Sequence, residues 1–392
     1  MKTIKEANIK NKRVLLRCDF NVEIRNGKIV DDFRIRKALP TIKYLLENNN
    51  QIVIISHLGR PKPRRKSFWF SNRKYSMKPV AKRLSELLKT RIEFVNDFTG
   101  FFSKKRIKKF VPKRVIFLEN IRFYQGEEKN DEKFAQMLAE LGDIYVNDAF
   151  GASHREHASI VSLPKLKPSF AGFLFEEEIM NLSPLIKNPQ RPFVLVLGGA
   201  KAETKIPLIG ELLKLVDHIL IGGKIANVIL TGKGYSVGKF IMDTKIKEVI
   251  SRINLTDPKV HLPVDGVVSL KEIDKEYIHI AAMGKIRREE ECFDIGPETV
   301  GIFSEILKEA KTVVWNGPLG LVEEKEFQEG SKRIAQTIIR GGSKSIIGGG
   351  DTIKFLDEQK WLDYFDFVST GGGAMLEYLA YKSLPGIEAL NK

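Results

Sequence analysis

Residues 197 to 205 read LGGAKAETK and follow directly on the apolar run Phe193 to Leu197. Glycines behind such a run let backbone N–H groups approach a phosphate, and neighbouring lysines supply the opposite charge. Phosphate binding is the chemistry this spacing suits. A Walker loop is excluded, because that motif needs Gly-Lys followed by Ser or Thr. The Gly-Lys pairs beginning at 27, 223, 232, 238 and 284 are followed by neither.

Comparable segments recur along the second half, where apolar runs lead into GGAKAETK, GGKIAN, NGPLG, GGGDT and STGGGA. One such pair of glycines is usually only a turn. Five of them behind candidate strands describe a rim of backbone donors suited to phosphates. Asp351 stands after three glycines and before Thr352. Its carboxylate suits a magnesium ion beside bound phosphates, and equally suits a helix N-cap. Glu323, seven residues after Asn316, is suited to ribose hydroxyls or to plain solvent.

The first half ends its apolar runs differently, in RCDFN, SHLGR, ENIRF and NDAFGASHREH. Arg60, Arg122 and Arg155, with His57, would converge on one small anion, since a guanidinium fork pairs with phosphate or carboxylate in bidentate fashion. Asp19 and Asn21 would bind a hydroxyl. Each arginine alone reads as a surface ion-pair partner. The repetition at four run ends favours the anion site.

The elements that must position these groups are apolar, β-branched runs: RVLL, QIVII, RVIFL, DIYV, FVLVL, HILI, KVHL, TVVW, KSII and FDFV. Their continuity predicts strands buried on both faces. Helical patterns lie between them, such as KIPLIGELLKLV, which spaces Ile206, Ile209, Leu213 and Val216 along one stripe. Alternation of this kind predicts an α/β protein with parallel sheets covered by helices. Of the 31 glycines, 7 precede residue 191 and 24 follow, so the halves carry different ligand surfaces. NLSPLIKNPQRP, following the helix-like FEEEIMNL, predicts a helix ending in a connector, with a domain boundary near 185.

A chain of 392 residues exceeds one ordinary core, and 43% hydrophobic with 29% charged residues supports a soluble, folded interior. No stretch approaches a membrane span, and the charged start MKTIKEANIKNKR lacks an apolar leader segment. Cys18 and Cys292 alone support neither a disulfide framework nor a cysteine metal site. The formal charge of +16 attracts phosphates of any kind. Its densest runs, RPKPRRK at 60–66 and KKRIKK at 104–109, read as solvated surface with Arg60 as the exception.

On these segments the chain resembles the phosphoglycerate kinase family almost end to end. The likeness is carried by RCDFNV, DDFRIRKALPTI, SHLGRP, KYSMKPVA, ENIRFY, EEKND, YVNDAFGASHREHAS, AGFLFEEE, GGAK, DIGPET, VVWNGPLG, GGGDT, STGGGA and LPGIEAL, in family order. The resemblance implies two Rossmann-like domains joined by a hinge. Residues 1–185 would bind phosphoglycerate, 186–375 would bind nucleotide, and the tail 376–392 would pack back on the first domain. It further implies a kinase exchanging a phosphoryl group between 1,3-bisphosphoglycerate and ADP with Mg2+, acting as a cytoplasmic monomer in glycolysis and gluconeogenesis.

By the same likeness Asp19, Asn21, Arg34, His57, Arg60, Arg122 and Arg155 would hold phosphoglycerate. Lys201, Lys205, Asn316, Glu323, Gly349, Gly350, Asp351 and Thr352 would hold ATP or ADP, Asp351 also serving the metal. Arg34 and Lys201 would be catalytic, compensating the charge of the phosphoryl group in transfer. The attacking atom would be a carboxylate oxygen, already deprotonated near neutral pH, so no general base is needed. Phe20, Leu58 and Gly59 would act as spacers. The chain departs from common family patterns at Glu23, Thr204, Lys224 and Ile225, around the first substrate loop, between the two lysines and near the nucleotide base.

Two other classes share parts of this pattern. A nicotinamide-dependent oxidoreductase would need Gly-x-Gly-x-x-Gly opening a helix, which is missing. A nucleic-acid binder would account for the charge, yet no module motif accompanies it. The sequence predicts no specific nucleic-acid partner.

Overall fold

The computed structural model describes residues 1–61, 73–238, 244–251, 253–254 and 256–391. Residues 62–66 of the basic run RPKPRRK lie outside the described residues. The chain forms two compact units, residues 1–180 with 383–392, and residues 181–382.

The first unit is built on six strands: β1 (Arg13–Cys18), β2 (Gln51–Ile55), β3 (Ile92–Val95), β4 (Val115–Leu118), β5 (Ile144–Asp148) and β6 (Ser169–Ala171). They pair in parallel in the order β3-β4-β2-β1-β5-β6. β1 is central, setting Leu16 against Ile54 on one side and Val146 on the other. β2 and β4 are buried at every position, because helices cover both faces of a parallel sheet. The C-terminal segment closes on this unit through Gly386, whose N–H donates to the Ser153 carbonyl at 2.9 Å. A side chain on Gly386 would meet Ser153 Cβ at 2.6 Å.

The second unit repeats the architecture with β7 (Phe193–Leu197), β8 (His218–Ile221) and β9 (Val260–His261). A separate antiparallel sheet follows, of β10 (Asp265–Leu270), β11 (His279–Ala282) and β12 (Glu290–Ile295). The parallel sheet is then completed by β13 (Thr312–Asn316), β14 (Lys344–Gly348) and β15 (Phe367–Ser369) in the order β9-β8-β7-β13-β14-β15. Trp315 at the end of β13 is fully buried among Val194, Phe303 and Phe355.

All ten apolar runs predicted as strands are strands, in two parallel sheets. Other expectations need correction. The stretch around 206–216 is no single amphipathic stripe: it breaks into helix Ala202–Lys205, a 3-10 turn Ile206–Leu208 and helix Ile209–Leu213. Pro207 lacks an N–H and interrupts the ladder; Ile206, Ile209 and Val216 are buried as the pattern predicts, Leu208 and Leu212 join them, and Leu213 is only half-buried. The helix of FEEEIMNL runs further than expected, over Phe173–Lys187 with Pro184 inside it, and only then gives way to the connector. KKRIKK lies on and just beyond helix Phe101–Lys108, with Ile107 buried and Lys105, Arg106, Lys108 and Lys109 exposed. Both cysteines are free and buried. Among the described residues no helix is long and apolar enough to cross a membrane.

Candidate functional site

In the first unit the polar residues gather beyond the carboxyl ends of β1, β2, β4 and β5, where an open parallel sheet leaves a crevice. β1 delivers Asp19, whose carboxylate accepts from Arg34 Nη1 at 2.7 Å and from the Asn21 N–H at 3.3 Å. Arg34 comes from the short helix Phe33–Lys37. Asn21 Oδ1 accepts from the Gly59 N–H at 2.8 Å, and the Gly59 carbonyl accepts from Arg122 Nη1 at 2.6 Å. Gly59 has φ +60°, and a Cβ there would meet Tyr75 Cε1 at 2.5 Å. The left-handed φ favours glycine here, and a larger residue would also push the Tyr75 ring aside.

Arg122 is 3% exposed, yet its Nε and Nη2 have no hydrogen-bond partner among the described residues. Glu128 lies 3.4 Å from Nε. Glu128 balances part of the charge at Nε, while a buried Nη2 with unused donors remains expensive unless a further acceptor completes it. The local frame is rigid: Asn120 Oδ1 accepts from the Arg122 N–H at 3.1 Å, and its Nδ2 donates to the carbonyls of Leu58 and Tyr75 at 2.8 and 2.9 Å. Glu119 in turn accepts from Met77 N–H at 2.7 Å and from the Ser76 hydroxyl at 2.8 Å.

His57 is buried beside this cluster. Burial, followed by the charges of Arg17, Arg155 and Arg34, pushes its pKa well below the usual range. His157 is driven to about 4, again by burial first and then by Arg155 and Arg17. Burial likewise lowers His154, while Asp19 pulls it back. Arg155 Nε donates to His154 Nε2 at 3.2 Å. Thus Asp19, Asn21, Arg34, His57, Arg122 and Arg155 come together, and Arg60 follows Gly59 with an exposed side chain. Phe20 is a core residue whose N–H donates to Ser56 Oγ at 3.0 Å, and Leu58 is buried.

In the second unit backbone atoms dominate. Gly317 follows β13 at φ +98°, and a Cβ there would lie 2.1 Å from the Gly198 carbonyl oxygen. No other residue fits that approach. The Gly198 N–H donates to the Asn316 carbonyl at 3.0 Å, and Gly199 N–H to the Pro318 carbonyl at 2.7 Å. Lys205 Nζ ties the same two turns together, donating to the carbonyls of Gly198 and Asn316 at 2.7 and 3.0 Å. Burial pulls the Lys205 pKa down to about 7, with Asp351 opposing and Lys201 adding to the shift. Lys201 is exposed at the start of helix Ala202–Lys205.

Asn316 Nδ2 donates to the Gly372 carbonyl at 3.0 Å, and Thr352 Oγ1 accepts from the Gly317 N–H at 2.8 Å. Gly349, at φ +95°, caps the helix Gly350–Glu358. This corrects the N-cap alternative for Asp351, which is the second residue of the helix. Its carboxylate is exposed with no hydrogen bond among the described residues. The amides of that first turn have no intrahelical acceptor, as at any helix start. Glu323 is exposed in the turn before Lys325–Phe327, with no contact tying it to this rim among the described residues.

One carboxylate among glycine amides and lysines fits Mg2+ held chiefly by nucleotide phosphates, since that ion commonly takes only one or two protein carboxylates. At the positions that depart from the family pattern, Glu23 pairs with Arg25 at 2.6 Å, Thr204 Oγ1 donates to the Lys201 carbonyl at 3.0 Å, Lys224 is exposed and Ile225 is buried. Sequence reasoning missed Arg17, Glu127 and Ser159, which lie fully buried under the first cluster. The only available signal for Arg17 was its place at the end of an apolar run.

Converging arginines at one sheet and a glycine and lysine rim at the other define an α/β protein whose two units both carry groups suited to anionic ligands. The family model described as Phosphoglycerate kinase matches residues 4–382. The phosphoglycerate kinase of Coprothermobacter proteolyticus is 43% identical over 100% of this chain and 98% of its own length. That of Thermosipho africanus is 44% identical over 99% and 97%. Among solved structures, phosphoglycerate kinase from Pyrococcus horikoshii superposes with TM-score 0.85 at 32% identity, covering 100% of this chain and 98% of that one. The Coxiella burnetii structure gives 0.79 at 36%, covering 99% and 98%. The chain belongs to the phosphoglycerate kinase family, and is a kinase enzyme.

Proposed function

We propose that this chain catalyses reversible phosphoryl transfer from 1,3-bisphosphoglycerate to ADP, giving ATP and 3-phosphoglycerate, in glycolysis and gluconeogenesis. The observation that carries the assignment of the first unit is Arg122, buried with Nε and Nη2 lacking a hydrogen-bond partner among the described residues, Nε having only the Glu128 carboxylate at 3.4 Å. Together with Arg60 and Arg155 it would take the non-reacting phosphate. Asp19 and Asn21 would orient the hydroxyl. The second unit, with Lys201, Lys205, Asn316, Glu323, Gly349, Gly350, Asp351 and Thr352, would hold the nucleotide, and Asp351 would serve Mg2+.

The reacting carboxylate is ionised near neutral pH, which fits a site of cations and amides without a general base. Arg34 and Lys201 would compensate charge on the group in transfer, an interaction worth most in the transition state. Mg2+, when bound, would supply further neutralisation of the phosphates. Since each ligand is assigned to a different unit, transfer would require hinge closure about the boundary between the units, which also excludes water. We assign the enzyme to the cytoplasm as a monomer. A coupled assay should show 3-phosphoglycerate-dependent ATP consumption. No consumption by folded protein with Mg2+ present would refute the assignment.

A further inference from the structure

Beneath the phosphoglycerate cluster runs a chain of hydrogen bonds whose members are Glu127, Ser159, Arg17 and His57, all between 0% and 2% exposed. Its polarity can be read bond by bond. Arginine only donates. Arg17 Nε donates to Ser159 Oγ at 2.9 Å, Nη1 donates to the Cys18 carbonyl, and Nη2 faces His57 Nδ1 at 3.1 Å. The Ser159 hydroxyl, accepting from Arg17, sends its own proton to Glu127 Oε1 at 2.6 Å. The Ser159 N–H donates to the other carboxylate oxygen at 3.0 Å. The carboxylate thus terminates the chain, and His57 Nδ1 begins it as an acceptor.

An Nδ1 that accepts from a guanidinium cannot carry a proton, because two N–H groups would then oppose each other. A neutral ring with Nδ1 bare has its proton on Nε2. Asp19 does not offer a competing hold: its Oδ1 is 3.8 Å from Nδ1, beyond hydrogen-bond range.

We propose that Glu127, Ser159 and Arg17 are positioning residues that lock His57 as the neutral Nε2–H tautomer, giving phosphoglycerate an uncharged, directional donor instead of another cation. This rests on the reading that His57 faces phosphoglycerate. The ligand atom opposite Nε2 must then be an oxygen acceptor: carboxylate, phosphate or hydroxyl. The strong depression of the His57 pKa by burial and the surrounding arginines acts in the same direction.

The test is 15N NMR on the full-length protein labelled at histidine, without ligand and then with 3-phosphoglycerate. Between pH 6 and 8, His57 should show an unprotonated Nδ1 and a protonated Nε2, with no titration. Proton on Nδ1, or an imidazolium at pH 7, would overturn the lock. Added 3-phosphoglycerate should move the Nε2 resonance. A correct tautomer with no such movement would overturn the substrate-facing part and leave the folded-state polarity standing, which separates the two ideas.

Ser159→Ala keeps both charged residues but removes the acceptor that fixes Arg17 Nε, so the guanidinium is free to turn away from His57 Nδ1. It should mix the tautomers and raise KM for phosphoglycerate on the order of tenfold, one hydrogen bond's worth, with kcat changed less. Glu127→Gln should act in the same direction. Wild-type tautomer and KM in folded Ser159→Ala protein would remove Ser159 and Glu127 from the role.

Discussion

The two candidate sites solve the same electrostatic problem with different materials. In the first unit the groups are side chains: Asp19 braced by Arg34, Arg122 braced by Gly59, and His57 hemmed in by arginines. In the second unit they are largely main chain, with Gly198, Gly317 and Gly349 bringing strand ends close and Lys205 clamping two carbonyls. Side-chain cations give directional, bidentate recognition of a small anion. Backbone amides follow a chain of phosphates with little selectivity for what hangs from it. The contrast teaches that a charge deletion should hurt the first site through affinity, whereas an added methyl group should hurt the second through geometry.

The largest effect should appear where both sites act on the moving group. Lys201→Ala and Arg34→Ala should each lower turnover roughly 100-fold to 1000-fold, about 3 to 4 kcal/mol, with smaller changes in substrate affinity. Steady-state kinetics with near-normal kcat in either variant would remove that residue from catalysis.

Next comes a methyl group at each glycine turn. Gly317→Ala must adopt φ +98° and press on the Gly198 carbonyl oxygen, so it should cost more than about 1 kcal/mol of stability and raise KM for nucleotide. Gly59→Ala meets the edge of the Tyr75 ring at 2.5 Å, a side chain able to turn aside, so its penalty should be smaller and confined to phosphoglycerate. Thermal unfolding and KM values for both ligands check this, and equal penalties would erase the claimed difference in materials.

A subtler effect concerns Lys205, whose pKa burial lowers to about 7. At pH 8 much of the free protein would then carry a neutral amine, and phosphates arriving beside it would favour the ammonium. Nucleotide binding should take up a fraction of a proton at pH 8 and none near pH 6, where the amine is already charged. Calorimetry in buffers of different ionisation enthalpy reads this directly. Proton release, or uptake that persists in Lys205→Met, would contradict it.

Much of this was readable from the residues, for physical reasons that also explain the rest. Runs such as QIVII and FVLVL are strands because both faces are covered, which demands continuous apolar character. The antiparallel sheet escaped notice because its strands carry Asp265, Glu290, Glu291 and Asp294, and β11 is largely exposed. Pro184 suggested a helix end, yet helix Phe173–Lys187 continues through it. At the site, repeated arginines at strand ends were visible as a pattern. Glu127 was not, because it sits in the charged stretch QGEEKND and reads as surface, although it is fully buried against Ser159. A local sequence gives composition, whereas burial of a charge depends on partners 32 residues away.

On the proposed assignment, the side-chain cations of the first unit hold phosphoglycerate independently of the nucleotide rim. Equilibrium titration of Arg122→Ala with 3-phosphoglycerate alone and with ADP alone tests it most directly, using thermal unfolding to establish that the variant is folded. The expected result is a loss of roughly tenfold to 100-fold for phosphoglycerate, as for a charged hydrogen-bonding group, with ADP affinity within about twofold of wild type. Unchanged phosphoglycerate affinity, or an equal loss for both ligands, would contradict it.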